Sequence, residues 1–176
     1  MKSILGIGNA LTDILSFLPD DELLLRFHLP KGSMQHVDQT TGDKIWKILK
    51  PMGIQYVAGG SAANTISGAA IFGMEAGFIG KVGDDELGSL FKADIEQNGV
   101  KSTLLKGKAS SGRAMVFITD PNAERTFAVY LGAALELVPE DLKPEYFDGY
   151  EYFHIEGYLV QNQALTLPFM GEQTYD

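Results

Sequence analysis

The 176-residue chain contains no cysteine. Disulfides, thiol nucleophiles and cysteine-based zinc sites are therefore excluded, and the composition suits a reducing compartment. Histidine is scarce. His28, His36 and His154 stand far apart, none at metal-ligand spacing to another, so each reads as a structural or surface residue. Positive charge is also short: 14 Lys and Arg stand against 23 Asp and Glu, a formal net charge of −9. Most of such a surface repels a phosphate backbone, so no nucleic-acid partner is expected. No apolar run approaches the ~20 residues of a membrane span. The opening MKSILGIGNALTD has neither the apolar length nor the cleavage site of a signal peptide. These absences lead to the expectation of a soluble, cytoplasmic protein with no membrane contact.

Hydrophobic residues make up 45% of the chain and charged residues 21%, the balance of a folded domain. A chain of this length can bury about two thirds of its unfolded surface, so it needs no covalent staple. Ile4-Leu5-Gly6-Ile7-Gly8 and Gly77-Phe78-Ile79-Gly80 read as short buried strands. Asp20–Leu29 and Asp38–Leu49 open on acidic residues and carry helical apolar spacing. Asp84 begins another helix, with Asp85 and Glu86 in its first turn. Its stripe is Leu87, Leu90, Phe91 and Ile95, and it stops at Asn98-Gly99. GRAMVFIT and RTFAVYLG flank DPNAE and predict a hairpin. Pro139–Leu142 predicts a short helical start, and YEYFHIEGY an aromatic-rich strand. The alternation predicts a parallel α/β layer. The hairpin and the stretch 14–37 break it and predict a small antiparallel sheet to one side. Near the end, Pro168 and Gly171 would break a helix begun at Gln161. No repeat or linker divides the chain, so 1–176 is expected to form a single domain.

Several motifs invite chemistry. GIGNAL begins like a dinucleotide fingerprint, but the third glycine position holds Leu11. No phosphate loop occurs, and Ser61 is followed by Ala62-Ala63 rather than a nucleophile elbow. Asn9 and Asp13 follow the first strand, where open α/β sheets bind small ligands. The residues alone leave two readings open: contacts to sugar hydroxyls, or a turn asparagine and an aspartate tying down loop amides. Gly59-Gly60 admits backbone angles closed to other residues and lets a ligand approach the main chain. Asn64 lies one helical turn later. The run GGSAANTISGAAIFG consists mostly of tiny side chains, which also suits a helix packed tightly on a sheet. Asp84 and Asp85 read as capping residues rather than an acid/base pair. Glu156 ends an apolar strand before a glycine and reads as a ligand contact, with a surface or ion-paired glutamate as the alternative.

Together these residues resemble the ribokinase-like carbohydrate kinases, the PfkB family. GNALTDI is similar to the family's N-terminal substrate motif, with the Asn-to-Asp spacing of adenosine-kinase-like members. GGSAANTISGAAIFGMEAGFIGKVGDDELG is similar to its first signature throughout, and SGRAMVFITDPNAERTFAVYLGA resembles its lid hairpin. The likeness runs from Lys2 to about Leu165. It implies a ribokinase-like α/β fold: a mostly parallel central sheet flanked by helices, with a small antiparallel β lid drawn from about 14–37 and 111–132. It also implies a kinase moving the γ-phosphoryl of ATP, with Mg²⁺, to a hydroxyl of a sugar or nucleoside. Asn9, Asp13, Gly60 and Asn64 match positions that bind acceptor hydroxyls, and Gly59 matches the preceding glycine. Ala114, Val116 and Phe127 match apolar lid positions, and period two puts Ala114 and Val116 on one strand face. Arg125 matches a lid arginine of some members, and Glu156 an acidic or polar substrate contact. A homodimer through the lid is a further partner that the family allows.

The family's second signature, a Gly-Ala-Gly-Asp-type run with the general-base aspartate and an anion hole, does not occur in this sequence. The nucleotide-binding strands and monovalent-cation site belong to the same C-terminal half. The resemblance therefore implies a truncated chain with no catalytic residue of its own and negligible turnover alone. Two other readings stand beside it: a non-catalytic sugar- or nucleoside-binding module, and an inactive fragment whose open sheet edge associates. On the kinase reading, the tiny residues draw a helix against the sheet so that Gly59, Gly60 and Asn64 crowd the acceptor. A bulky residue at Gly60 is then expected to weaken binding and leave the fold largely intact.

Overall fold

A computed structural model describes residues 2–160. The helix break expected at Pro168 and Gly171 lies outside the described residues. Four strands, β1 (Ser3–Ile7), β5 (Glu75–Val82), β6 (Val100–Lys106) and β9 (Tyr152–Ile155), form a parallel sheet in the order β6-β5-β1-β9. Alternate residues serve opposite faces. Phe78 faces helices α3 (Ser61–Ile71) and α4 (Glu86–Gln97), among Ile66, Phe91 and Ile95. Leu5, Ile7 and Ile79 face the other way, against Leu137 and Leu159. Leu159 lies in the short helix α5 (Gly157–Val160).

The tiny residues bring α3 close to β1. A Cβ at Gly6 would lie 2.4 Å from Ile66, and one at Gly8 would lie 2.5 Å from the Cβ of Ala62. A larger residue at either glycine forces the facing side chain or the helix itself to shift.

The second sheet differs from the expected lid. It has five strands: β2 (Leu11–Leu18), β3 (Met34–His36), β4 (Gln55–Gly59), β7 (Gly112–Thr119) and β8 (Glu124–Tyr130), in the order β3-β8-β7-β2-β4. It is mixed, not antiparallel. The pairs β7/β8 and β2/β4 run antiparallel, whereas β2/β7 and β3/β8 run parallel. The tight turn after β7 forces the antiparallel pair that the hairpin motif predicts. The parallel partners are joined by long crossovers, whose direction no local motif records. β4 lies outside both segments expected to build the lid.

One face of this sheet, with Ile14, Met115, Phe117 and Ala128, packs on α1 (Glu22–Arg26), on Ile45 and Leu49 of α2 (Gln39–Leu49), and on Leu87. Helix α2 has Asp38 as its N-cap, accepting from the Thr41 amide at 2.7 Å. Helix α1 is shorter than the expected Asp20–Leu29. His28 takes φ +53, and the Leu29 amide donates back to the Leu24 carbonyl, closing the helix before Pro30.

Asp85 caps α4, as its position suggests. Its carboxylate accepts from the Gly88 amide at 2.9 Å and from the Ser111 amide and hydroxyl at 2.8 and 2.6 Å. Burial pushes its pKa up, but these hydrogen bonds outweigh burial and hold it below the ordinary value. Asp84 instead lies exposed, 3.2 Å from Lys106.

Arg113 is the largest fully buried side chain on the helix-facing side of β7, at 1% exposure. Its guanidinium lies 5.1 Å from the Trp46 ring and 5.0 Å from that of Tyr130, and it pairs with Asp43 of α2. The pair pins α2 to the middle of the second sheet.

Candidate functional site

The chain leaves the parallel sheet at Ile7, turns through Gly8-Asn9-Ala10 and joins the second sheet at Leu11. β4 ends beside this point, with Gly59 opposite Leu11, and Gly60 turns the chain into α3. β9 ends nearby at Ile155, followed by Glu156. Between these chain ends and the free face of the second sheet lies a cavity of 460 Å³. Asn9, Asp13, His36, Gly60, Ser61 and Glu156 provide most of its polar lining.

Gly60 is required here. It has φ +91, and a Cβ on it would lie 2.3 Å from the carbonyl oxygen of Asn9. Gly59 is required for a different reason: its Cβ would sit 2.0 Å from Asp13 Oδ1 and 2.3 Å from Asp13 Cγ. The missing side chain is the space that Asp13 occupies.

The carboxylate of Glu156 is held at one end. The Ala62 amide, in the first turn of α3, donates to Oε1 at 2.7 Å. The other oxygen is buried and has no partner among the described residues. A fixed carboxylate with one unused acceptor suits a ligand hydroxyl.

Asp13 stands on β2 between Val57 and Ala114. Burial pushes its pKa up from 3.8 to about 6. Its native state therefore holds a proton that the unfolded chain releases, and stability falls as pH rises from about 4 to about 6. Asp13→Asn is expected to stabilise the chain by about 1–2 kcal/mol at pH 7.5, allowing for solvent screening of the shift. The gain should nearly vanish at pH 4. Urea denaturation at the two pH values checks this, and a variant no more stable than wild type at pH 7.5 would contradict it.

Asn9, Asp13, Gly60, Ala114, Phe127 and Glu156, all singled out from the sequence, line this one cavity. Gly59, Asn64, Val116 and Arg125 do not. Gly59 acts beneath it, through Asp13. Val116 is buried on the same sheet face, opposite Phe127. Arg125 is exposed, 5.8 Å from the Phe127 ring. Asn64 is exposed on α3, because the helix turns Ala62, Ala63 and Ile66 toward the core and leaves Asn64 outside. Sequence reasoning missed Leu11, Val129 and Leu131, although Val129 shares the parity of Phe127. Met34, His36, Leu135 and Tyr158 also line the cavity, and no local signal announced them.

Fold and site together define an α/β protein with a cavity between the strand ends of a parallel sheet and the face of a mixed one. The chain belongs to the pfkB carbohydrate kinase family, whose model matches residues 37–167. It is similar to the solved adenosine kinase of Sinorhizobium meliloti, with 36% identity and a TM-score of 0.75 over 90% of this chain and 48% of that one. A probable sugar kinase from Rhizobium etli is similar at 34% identity and a TM-score of 0.77, covering 91% of this chain and 48% of that one. Among curated relatives, the aminoimidazole riboside kinase of Salmonella typhimurium is 35% identical over 99 residues, 54% of this chain and 30% of that enzyme. The chain thus spans about half the length of the solved structures it matches. The ribokinase-like fold expected from the sequence is the fold of these neighbours.

Proposed function

We propose that this chain is the acceptor-binding half of a cytoplasmic, ATP-dependent kinase that phosphorylates a hydroxyl of a sugar or nucleoside. The observation that carries the reading is the convergence of Asn9, Asp13 and Glu156 in one cavity, with a Glu156 oxygen buried and unused. Hydroxyls donate to carboxylates, and an asparagine amide both donates and accepts. Among the described residues the lining contains no Lys or Arg, which suits a neutral acceptor rather than a phosphorylated one.

These residues bind and orient the acceptor, and the second sheet walls it from water. ATP and Mg²⁺ belong to the part of the enzyme that this chain does not span. On this reading the chain alone is expected to bind acceptor without ATP-dependent turnover. Calorimetry with adenosine, ribose and fructose tests the binding. Glu156→Gln should lower affinity about tenfold or more, the usual loss for a hydrogen bond to a charged group. No binding by any of the three, an unchanged affinity in the variant, or measurable phosphorylation by the chain alone would overturn the reading.

A further inference from the structure

The cavity has two unlike ends, and the inference drawn from them rests on the acceptor-site reading above. Its polar groups gather where β1, β2, β9 and α3 meet. The second sheet's side of the lining is mainly apolar, with Phe127 and Val129 of β8, Leu131 just beyond, Leu135 in the following helical turn and Met34 of β3, and with His36 as its polar member; Tyr158 of α5 stands two residues beyond Glu156. Met34, Leu135 and Tyr158 are 46%, 63% and 57% exposed. Large apolar side chains left uncovered around one cavity mark a surface that a ligand covers.

A free pentose or hexose carries hydroxyls all round its ring. Hydroxyls set against this wall would lose water and gain no partner, which disfavours such a ligand. A molecule with hydroxyls at one end and a flat, weakly hydrated ring at the other meets both ends. We propose that the acceptor is a nucleoside: its ribose faces Asn9, Asp13 and Glu156, and its heteroaromatic base lies against Phe127, Leu135 and Tyr158. Aromatic side chains are sequence-tolerant platforms for nucleobases. His36, exposed on β3 at the same wall, offers ring nitrogens that can donate to or accept from the base edge. Similarity does not choose between the classes, since the adenosine kinase and the sugar kinase lie at 36% and 34% identity.

The test is equilibrium binding of adenosine, D-ribose and D-fructose to the 176-residue chain, as wild type and as Phe127→Leu and Leu135→Ser. Adenosine is expected to bind about tenfold or more tighter than ribose. Phe127→Leu keeps the wall apolar but removes the ring, and should lower adenosine affinity about tenfold while changing ribose affinity less than about twofold. Leu135→Ser alters an exposed residue, so folding is not at stake, and it should weaken adenosine alone. Equal affinities for adenosine and either sugar, or variants that leave adenosine binding unchanged, overturn the nucleoside assignment and leave the acceptor site standing. Failure of all three compounds to bind overturns the acceptor site itself.

Discussion

Gly60→Ala is expected to destabilise the chain by about 3 kcal/mol and to abolish detectable acceptor binding, the sum of a strained left-handed backbone and a steric clash. The clash decides the size of the effect. The new Cβ would lie 2.3 Å from the Asn9 carbonyl oxygen, and a backbone carbonyl cannot swing aside as a side chain can. Relief requires moving the β1–β2 turn or the start of α3, and both carry the cavity. The fold is therefore not indifferent to Gly60, contrary to the expectation drawn from sequence.

Gly59→Ala is the informative contrast. The nearest atoms its Cβ meets belong to the Asp13 side chain, which can rotate. Stability should fall less than in Gly60→Ala, because a side chain rather than the backbone gives way, while acceptor affinity drops about tenfold or more. Urea melts paired with calorimetry separate the two variants. A Gly60→Ala protein as stable as wild type would show that the turn yields cheaply and is no rigid part of the site.

Asp43→Ala is expected to cost about 2–4 kcal/mol, because it leaves the buried Arg113 charge without its carboxylate. Asp43 itself is half exposed, with 53% of its side chain accessible, so little is regained by removing it. Arg113 already has a buried Nε without a partner among the described residues. Arg113→Met should cost less than Asp43→Ala, since a flexible apolar chain of similar length can fill the slot between Trp46 and Tyr130. In the double variant the cost should fall below that of Asp43→Ala alone. Chemical denaturation of the three proteins completes a mutant cycle. If Asp43→Ala melts like wild type, aromatic stacking and not the ion pair holds α2 to the sheet.

Much of the site was legible because it depends on local chemistry. A glycine pair before a small-residue run signals positive φ and close approach, and Gly60 has both. A carboxylate closing an apolar strand is conspicuous, and Glu156 lies in the cavity. Asn64 illustrates the limit. One helical turn from Gly60 is a statement about rise, but the side that a helix turns outward depends on what its other residues bury. Leu135 and Met34 were illegible, because nothing near them in the chain indicates that they share a cavity with Phe127.

From its sequence alone this protein had a parallel α/β layer, a β7–β8 hairpin and capped helices, since periodicity and turn chemistry act over a few residues; of the six cavity-lining residues named in advance, Ala114 and Phe127 came only from the family resemblance. Only the tertiary structure decided that β2 runs parallel to β7, that β4 completes the second sheet, and that apolar residues of β3 and β8 share one cavity with the carboxylates. Those outcomes depend on strands far apart in the chain, paired by the burial of faces that no short segment can specify.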